Sequence, residues 1–211
     1  MIDMASLNIN EIKNIIPEGT PNYTSSQIFS FIQNGVCFEN MTSIKKDLRE
    51  KLSKEYVDIP IQIEQIYTSH DGSKKILYKL NDGNLIEGVF MPHNYGNTLC
   101  VSTQVGCPIK CVFCASGLNG LIRNLTPGEI LGQIIATNKL EGGTTTNRKI
   151  TNVVLMGSGE PLANYDNVIK FFELVSHEKG LNISLRNISL STCGLVEKIK
   201  ELADSKYHPT L

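Results

Sequence analysis

The sequence is poor in several of the residue types that mark particular protein classes. It has no tryptophan, four histidines and six cysteines among 211 residues. It also lacks an apolar run long enough to cross a bilayer, and its first residues have neither the basic start nor the apolar core of a secretory signal. We therefore expect no membrane association and a cytoplasmic location, where cysteines serve metal binding or catalysis more often than disulfide bonds.

An excess of charge of either sign is absent as well. Twenty lysines and arginines face 21 aspartates and glutamates, which gives a formal net charge of −1. This balance neither favours nor excludes a nucleic-acid partner, because binding depends on where the positive charge lies. The one basic concentration, at residues 45–54, alternates with acidic residues and is interpreted as a solvated helix face rather than a phosphate-binding surface.

Half of the cysteines lie close together. Cys107, Cys111 and Cys114 have the spacing C-x3-C-x2-C. Thiolates are soft ligands that suit zinc, copper(I) and iron–sulfur clusters. A closed zinc site needs four ligands, whereas three thiolates can hold a four-iron cluster and leave one iron open. An iron–sulfur site is the main interpretation, and a zinc site completed by His93 or Cys100 is the alternative.

The pattern of apolar residues changes twice along the chain. Residues 8–56 predict three helices, with capping pairs at Asn8 and Glu11 and at Thr24 and Gln27. Three β-rich runs between residues 59 and 91, separated by turn signals, predict a small antiparallel sheet. From residue 98 strands alternate with helices, which is typical of a parallel sheet. The predicted organisation is a helical N-terminal domain (1–57), an antiparallel β region (58–96) and an α/β core (97–211).

In the α/β core, three polar segments follow three successive predicted strands. They are the cysteine segment, the turn Gly157–Pro161, and Ser191 with Thr192. Ligands of parallel α/β proteins gather at the carboxyl ends of the strands. We therefore expect the three segments to form one site.

These segments resemble a known family. The C-x3-C-x2-C motif with an aromatic residue, Phe113, before its last cysteine is similar to the signature of the radical S-adenosylmethionine (SAM) superfamily. The further segments that carry the resemblance are Leu99–Gly106, Arg123–Thr126, Met156–Leu162 and Leu190–Gly194. Together they resemble the adenine-C2 methyltransferases of large-subunit ribosomal RNA and transfer RNA; a sister group that methylates adenine C8 shares most of them. The resemblance implies an α+β N-terminal region followed by an α/β incomplete radical-SAM (β/α) partial barrel.

The resemblance also implies cofactors and their ligands. Cys107, Cys111 and Cys114 would hold a 4Fe-4S cluster, whose open iron would bind SAM. Gly159 and Glu160 match the SAM-contacting turn of the family, although an ordinary tight turn before a helix has the same composition. Ser191 matches a further SAM-binding position, although small polar residues are common at strand ends.

Two further residues match catalytic positions of the family. Cys100, seven residues before Cys107, matches the cysteine that resolves the adduct between enzyme and RNA, and Glu87 matches the proton acceptor. From its spacing alone, Glu87 is interpreted as an ordinary outward-facing strand residue, and for Cys100 the alternative is a buried small apolar residue, as most free cysteines are. Cys37 and Cys193 match no catalytic position and are expected to be packing residues.

The family reaction also needs a cysteine that carries the methyl group, and the resemblance places that residue beyond Leu211. The leading hypothesis is thus a truncated RNA methyltransferase that retains the cluster and part of the SAM site. An inactive or RNA-binding remnant and the C8-methylating sister group are the alternatives. The expected partners are ribosomal RNA, with transfer RNA as a second substrate, and an electron donor for the cluster; the sequence leaves the oligomeric state open.

Overall fold

The N-terminal part of the chain is helical, as the sequence predicts. A computed structural model describes residues 2–211; Met1, the first residue of the predicted helical domain, lies outside the described residues. The elements of this part are β1 (Ile2–Asp3), α1 (Ile9–Ile15), α2 (Tyr23–Gln33), α3 (Lys46–Glu55) and β2 (Tyr56–Val57). The two short strands pair in parallel with each other.

The first helix start was predicted correctly and the second was not. Asn8 accepts a hydrogen bond from the backbone N–H of Glu11, whose side chain accepts from the backbone of Asn8, so the capping box is confirmed. Helix α2 begins one residue before the predicted cap Thr24, and its N-cap Asn22 makes no side-chain capping bond. Thr24 is instead buried within the helix.

The remaining elements alternate between strands and helices. They are β3 (Ile61–Thr68), β4 (Lys74–Leu80), β5 (Leu85–Met91), β6 (Asn97–Cys100), β7 (Gln104–Gly106), β8 (Leu121–Asn124), α4 (Pro127–Leu140), β9 (Ile150–Leu155), α5 (Tyr165–Val175), β10 (Ile188–Leu190) and α6 (Val196–Asp204). Helix α4 begins with the predicted capping box of Thr126 and Glu129.

One six-stranded sheet, in the order β10-β9-β6-β5-β4-β3, joins the antiparallel and the parallel parts of the chain. Strands β6, β9 and β10 run parallel to one another, while β3, β4, β5 and β6 pair antiparallel in succession. The antiparallel strands predicted at 58–96 therefore continue directly into the α/β core, and the division into three domains stays a prediction. The architecture confirms the mixed α+β and α/β fold class and the partial barrel.

The two faces of this sheet differ in burial. On one face lie Phe90, Leu99, Val153 and Leu190, all buried, and α4 packs against this face, with the hydroxyl groups of Tyr78 and Thr137 2.6 Å apart. On the other face the side chains are half-buried or exposed. We call this second surface the open face. It is defined by Glu87, Val89, Cys100, Val154, Ser189 and Ser191, which follow from the strand registers.

Beyond β10, the end of the chain returns to the sheet. Thr210 forms a parallel bridge with Ser189. Its N–H donates to Ile188 O at 2.9 Å, and its carbonyl accepts from Leu190 N at 2.7 Å. Among residues 2–211, no helix combines the length and apolarity that a membrane span requires.

The capping box of α1 generates a test of stability. The substitution Asn8→Ala should lower the free energy of unfolding by about 1 kcal/mol or more, because it leaves the N–H of Glu11 without its acceptor and also removes the bond from Asn8 Nδ2 to Glu173 Oε1. Asn22→Ala is the matched control: it is the same change at an N-cap without a side-chain bond, and we expect less than about 0.5 kcal/mol. Equilibrium unfolding in urea measures both, and equal losses would contradict the role of the cap.

Candidate cluster and cofactor site

The cysteine segment is a loop closed at its base by a hairpin that the sequence analysis missed. Strand β7 enters the loop and the antiparallel strand β8 leaves it, with an irregular register between Val105 and Gly106. At the base Cys107 N donates to Gly120 O at 3.1 Å. Gly106 has a φ of +77°, and a Cβ at this position would collide with Gly120 O. Only glycine fits there, because other residues rarely adopt this backbone conformation.

The three thiols lie within this loop at different depths. Cys107 is buried, while Cys111 and Cys114 are half-buried, and Cys114 N donates to Cys111 O at 3.0 Å. Lys110, between Cys107 and Cys111, has a positive φ of 50°, which is uncommon for a residue with a side chain. No three histidine, cysteine, aspartate or glutamate side chains within residues 2–211 are already arranged to hold a metal ion. The donor set fits an iron–sulfur cluster, and the three cysteines would have to draw together around it.

The outer surface of the loop is apolar and exposed. Val112 and Phe113 are 104% and 91% exposed, and Leu118 is 82% exposed. Ile122 on β8 adds a fourth exposed apolar side chain. Contiguous exposed apolar surface is a mark of ligand or partner contact. Exposed apolar side chains are thus concentrated on this loop and on the strand that leaves it.

The glycine-glutamate turn lies beside the base of the loop, as predicted from the strand ends. Gly159 has a φ of +105°, and a Cβ there would lie 2.6 Å from Cβ of Gln104, so the close approach that requires glycine is to this chain's own backbone and side chain. Glu160 is 4% exposed. Its carboxylate accepts from the N–H of Leu162 at 2.9 Å and from the N–H of Cys193 at 2.7 Å. A carboxylate has further lone pairs, so these bonds leave acceptor capacity for a ligand.

The third predicted segment follows β10. Ser191 is exposed at the end of this strand on the open face. Cys193, expected to be a packing residue, is exposed instead, and that expectation is wrong. Its backbone bond to Glu160 joins this segment to the glycine-glutamate turn. The structure thus brings the second and third segments into direct contact.

Cys100 and Glu87 share the open face at the end nearest the cysteine loop. Cys100 pairs with Val89 across β5 and β6, and Glu87 lies two residues before Val89. The Cys100 thiol is half-buried, and burial raises its pKa. The Glu87 carboxylate is exposed and pairs with Lys75 Nζ at 3.0 Å. Glu87 is thus an outward-facing strand residue whose side chain lies on the same surface as the Cys100 thiol.

His93, the alternative zinc ligand, lies elsewhere. It follows β5 and precedes the amino end of β6, whereas the cysteine loop follows the carboxyl end of that strand. Its ring stacks on Tyr95, with centroids 4.9 Å apart. The opposite ends of one strand do not converge on a metal, so this placement disfavours a zinc site that includes His93.

A buried polar stretch that the sequence analysis did not single out connects these parts. Ser102, Thr103 and Gln104 are at most 1% exposed. Ser102 Oγ donates to Glu87 O at 2.7 Å and accepts from Ser158 N at 2.9 Å. The side chain of Gln133 pairs with both backbone groups of Ser102. The only sign of this stretch in the sequence is its run of polar residues. Such a run is also typical of a surface loop, so the burial could not be inferred from it.

Arg123 fixes β8 from the other side. Its guanidinium donates two bonds of 2.8 Å to the carboxylate of Glu129 and one of 2.7 Å to Asp82. The hydrogen bond from Arg123 holds the pKa of Asp82 at about 2. The Arg123 guanidinium therefore links three parts of the chain: the turn between β4 and β5, strand β8 and the start of α4.

A cavity of about 360 Å³ lies away from the site, between β3 and α4. It is lined mainly by apolar residues and by none of the predicted site residues. Glu87, Cys100 and Ser191 of the predicted site lie instead on the open face.

A three-thiol loop and a glycine-glutamate turn at the carboxyl ends of parallel strands define the class of iron–sulfur enzymes built on a partial α/β barrel. The Radical SAM superfamily matches residues 101–210. The chain belongs to this superfamily.

Individual relatives agree with this assignment. The chain is 48% identical over its whole length to "Probable dual-specificity RNA methyltransferase RlmN" of Clostridium perfringens strain SM101, and covers 60% of it. The protein of the same name from Clostridium botulinum strain Alaska E43 is 51% identical over 90% of this chain, which covers 54% of that relative. The crystal structure of a radical SAM methyltransferase from Sphaerobacter thermophilus has a TM-score of 0.91 at 35% identity, covering 99% of this chain and 62% of that one. The chain thus spans about three fifths of the relatives' length.

Membership in the superfamily implies a 4Fe-4S cluster and SAM as cofactors. The donor chemistry agrees, because three cysteines stand in one anchored loop. The roles of the individual site residues stay predictions. These residues are Cys107, Cys111, Cys114, Gly159, Glu160, Ser191, Cys100 and Glu87.

The two glycines at the base of the loop allow a paired test. Gly106→Ala and Gly120→Ala introduce a side chain at φ values of +77° and +69°, but only the first meets a neighbouring atom. We expect Gly120→Ala to cost about 1 kcal/mol of unfolding free energy from backbone strain alone. Gly106→Ala should cost more and should lower the iron bound per chain after anaerobic reconstitution. Equal behaviour of the two variants would show that the close approach at Gly106 does not shape the loop.

Proposed function

We propose that this chain is the cluster-binding and SAM-binding part of a radical-SAM RNA methyltransferase that acts on adenine C2 of large-subunit ribosomal RNA, and also on transfer RNA. The observation that carries the proposal is the joining of the cysteine loop to the two other strand-end segments, through Gln104, Glu160 and Cys193. The names of relatives up to 51% identical support the RNA substrate. The cytoplasmic location and the electron donor belong to the same proposal.

In this proposal each group has a physical task. Cys107, Cys111 and Cys114 hold the cluster, which when bound supplies the electron for SAM cleavage. Gly159, Glu160 and Ser191 hold SAM beside the loop, with the Glu160 carboxylate as acceptor for the SAM ammonium group.

The open face receives the adenine. There the Glu87 carboxylate accepts a proton; the strand register places this side chain on the open face, where it pairs with Lys75. The Cys100 thiol is the second sulfur that releases the product. The methyl-carrying cysteine of the family reaction belongs to the part of the relatives that this chain does not span.

The cluster is tested by anaerobic reconstitution with iron and sulfide. The wild-type chain should gain the visible absorbance of an iron–sulfur cluster, and a variant with Cys107, Cys111 and Cys114 all changed to alanine should not. Cys37→Ala is the matched control, since this half-buried cysteine lies outside the loop. A cluster that persists in the triple variant would overturn the assignment of its ligands.

The reaction is tested with the reconstituted chain, a reductant, methyl-labelled SAM and a large-subunit ribosomal RNA fragment. We expect cleavage of SAM to 5′-deoxyadenosine without label in the RNA, because the proposal places the methyl-carrying cysteine outside this chain. Any label that does enter the RNA is assigned to C2 or C8 by chromatography of the nucleosides after digestion. Absence of SAM cleavage in a chain that holds its cluster would favour an inactive remnant, and labelled 8-methyladenosine would favour the sister group.

A further inference from the structure

Gln104 lies between the cysteine loop and the glycine-glutamate turn, and its side chain contacts both. It is fully buried. Its Oε1 accepts from Glu160 N at 2.8 Å, and its Nε2 donates to Asn124 Oδ1 at 2.8 Å. Gln104 itself belongs to β7, which leads into the loop, and Asn124 ends β8, which leads out of it. One amide therefore joins both strands of the loop base to the turn.

The orientation of this amide follows from its partners. A backbone N–H can only donate, so the atom that faces Glu160 N has to be the oxygen of Gln104. The nitrogen then faces the Asn124 oxygen. Only a side chain with a donor and an acceptor at its end can satisfy both neighbours in a buried position.

The backbone around Gln104 adds to the same junction. The N–H groups of Thr103 and Gln104 both donate to Ser158 O, at 2.8 and 3.1 Å. Gly159 packs directly on the Gln104 side chain and has no room for a Cβ. Residues 102–104 together therefore fix the position of the turn relative to β7, and within this set Gln104 is the side chain that bonds to Glu160.

We propose that Gln104 is a positioning residue that holds the Gly159–Glu160 turn in register with the cysteine loop, so that SAM bound by the turn reaches the cluster. The inference rests on the proposed function, because it assumes that the loop binds the cluster and the turn binds SAM. Gln104 itself touches neither group. It acts through the backbone of Glu160 and through Asn124.

Substitution of Gln104 by methionine tests this role, because methionine has nearly the same volume and no polar end. The buried N–H of Glu160 then loses its acceptor, and the exposed side chain of Asn124 loses its donor. The readout is the SAM concentration at half-maximal change of the electron paramagnetic resonance spectrum of the reduced cluster. We expect Q104M to need about tenfold more SAM than the wild type, with unchanged iron and sulfide per chain.

Q33M is the matched control. Gln33 is also a buried glutamine whose oxygen accepts from a backbone N–H, that of Leu181 at 3.2 Å, in the segment that precedes β10. We expect it to lower the melting temperature as Q104M does and to leave the SAM midpoint unchanged. An equal shift of the midpoint in both variants would show a general loosening and would overturn the inference.

The exposed partner provides a second variant in case Q104M does not fold. N124A removes the acceptor of the Gln104 nitrogen at the surface and should shift the SAM midpoint in the same direction, by about threefold. An unchanged midpoint in Q104M, or in N124A where Q104M is unfolded, overturns the role of Gln104 alone. A wild-type cluster whose spectrum does not respond to SAM would overturn the proposed function, and the inference with it.

Discussion

The site depends on the hydrogen bonds that the backbone of a short buried polar stretch makes, at residues 102–104, where the Thr103 hydroxyl itself has no partner. These residues continue from β6 into the interior, where every unpaired backbone group would cost free energy. Side chains from other elements supply the missing partners: Gln133 bonds to Ser102, and Asn164 bridges Thr103 O and Leu125 O. Because these bonds come from helix α4 and from the segment before α5, the stretch can lie in only one place relative to the sheet. The loop, the turn and the strand of Glu87 are all bonded to it.

Features with local causes could be predicted from the sequence. The capping boxes at Asn8 and Thr126 lie within four residues of chain, and the sequence pattern identifies them because the donor and acceptor are neighbours. The site segments were located for a related reason. Parallel strands end at one edge, so the alternation of strand and helix alone predicts that the cysteine loop, the turn and Ser191 meet.

Features that depend on distant partners could not be predicted. Strands β7 and β8 have three and four residues and an irregular register, so they carry no apolar periodicity. The role of Gln104 depends on Glu160, 56 residues away. The bond from the backbone of Cys193 to Glu160 likewise joins residues 33 apart in the chain. A single sequence gives the polarity of such residues. It does not give the distant hydrogen-bond partner that offsets the free-energy cost of burying them.

The two edges of the six-stranded sheet have opposite properties. At β3 the backbone bulges between Ile63 and Gln65 and carries exposed polar side chains, which discourages a further strand. At β10 the bridge from Thr210 to Ser189 already sets a direction and a register. Pairing at this edge therefore has a fixed direction, because a strand that extends the bridge has to run parallel to β10. Alternate side chains of such a strand then fall on the open face beside Ser189. The β10 edge thus selects both the direction and the facing of any strand that pairs with it, whereas the β3 edge selects against pairing altogether.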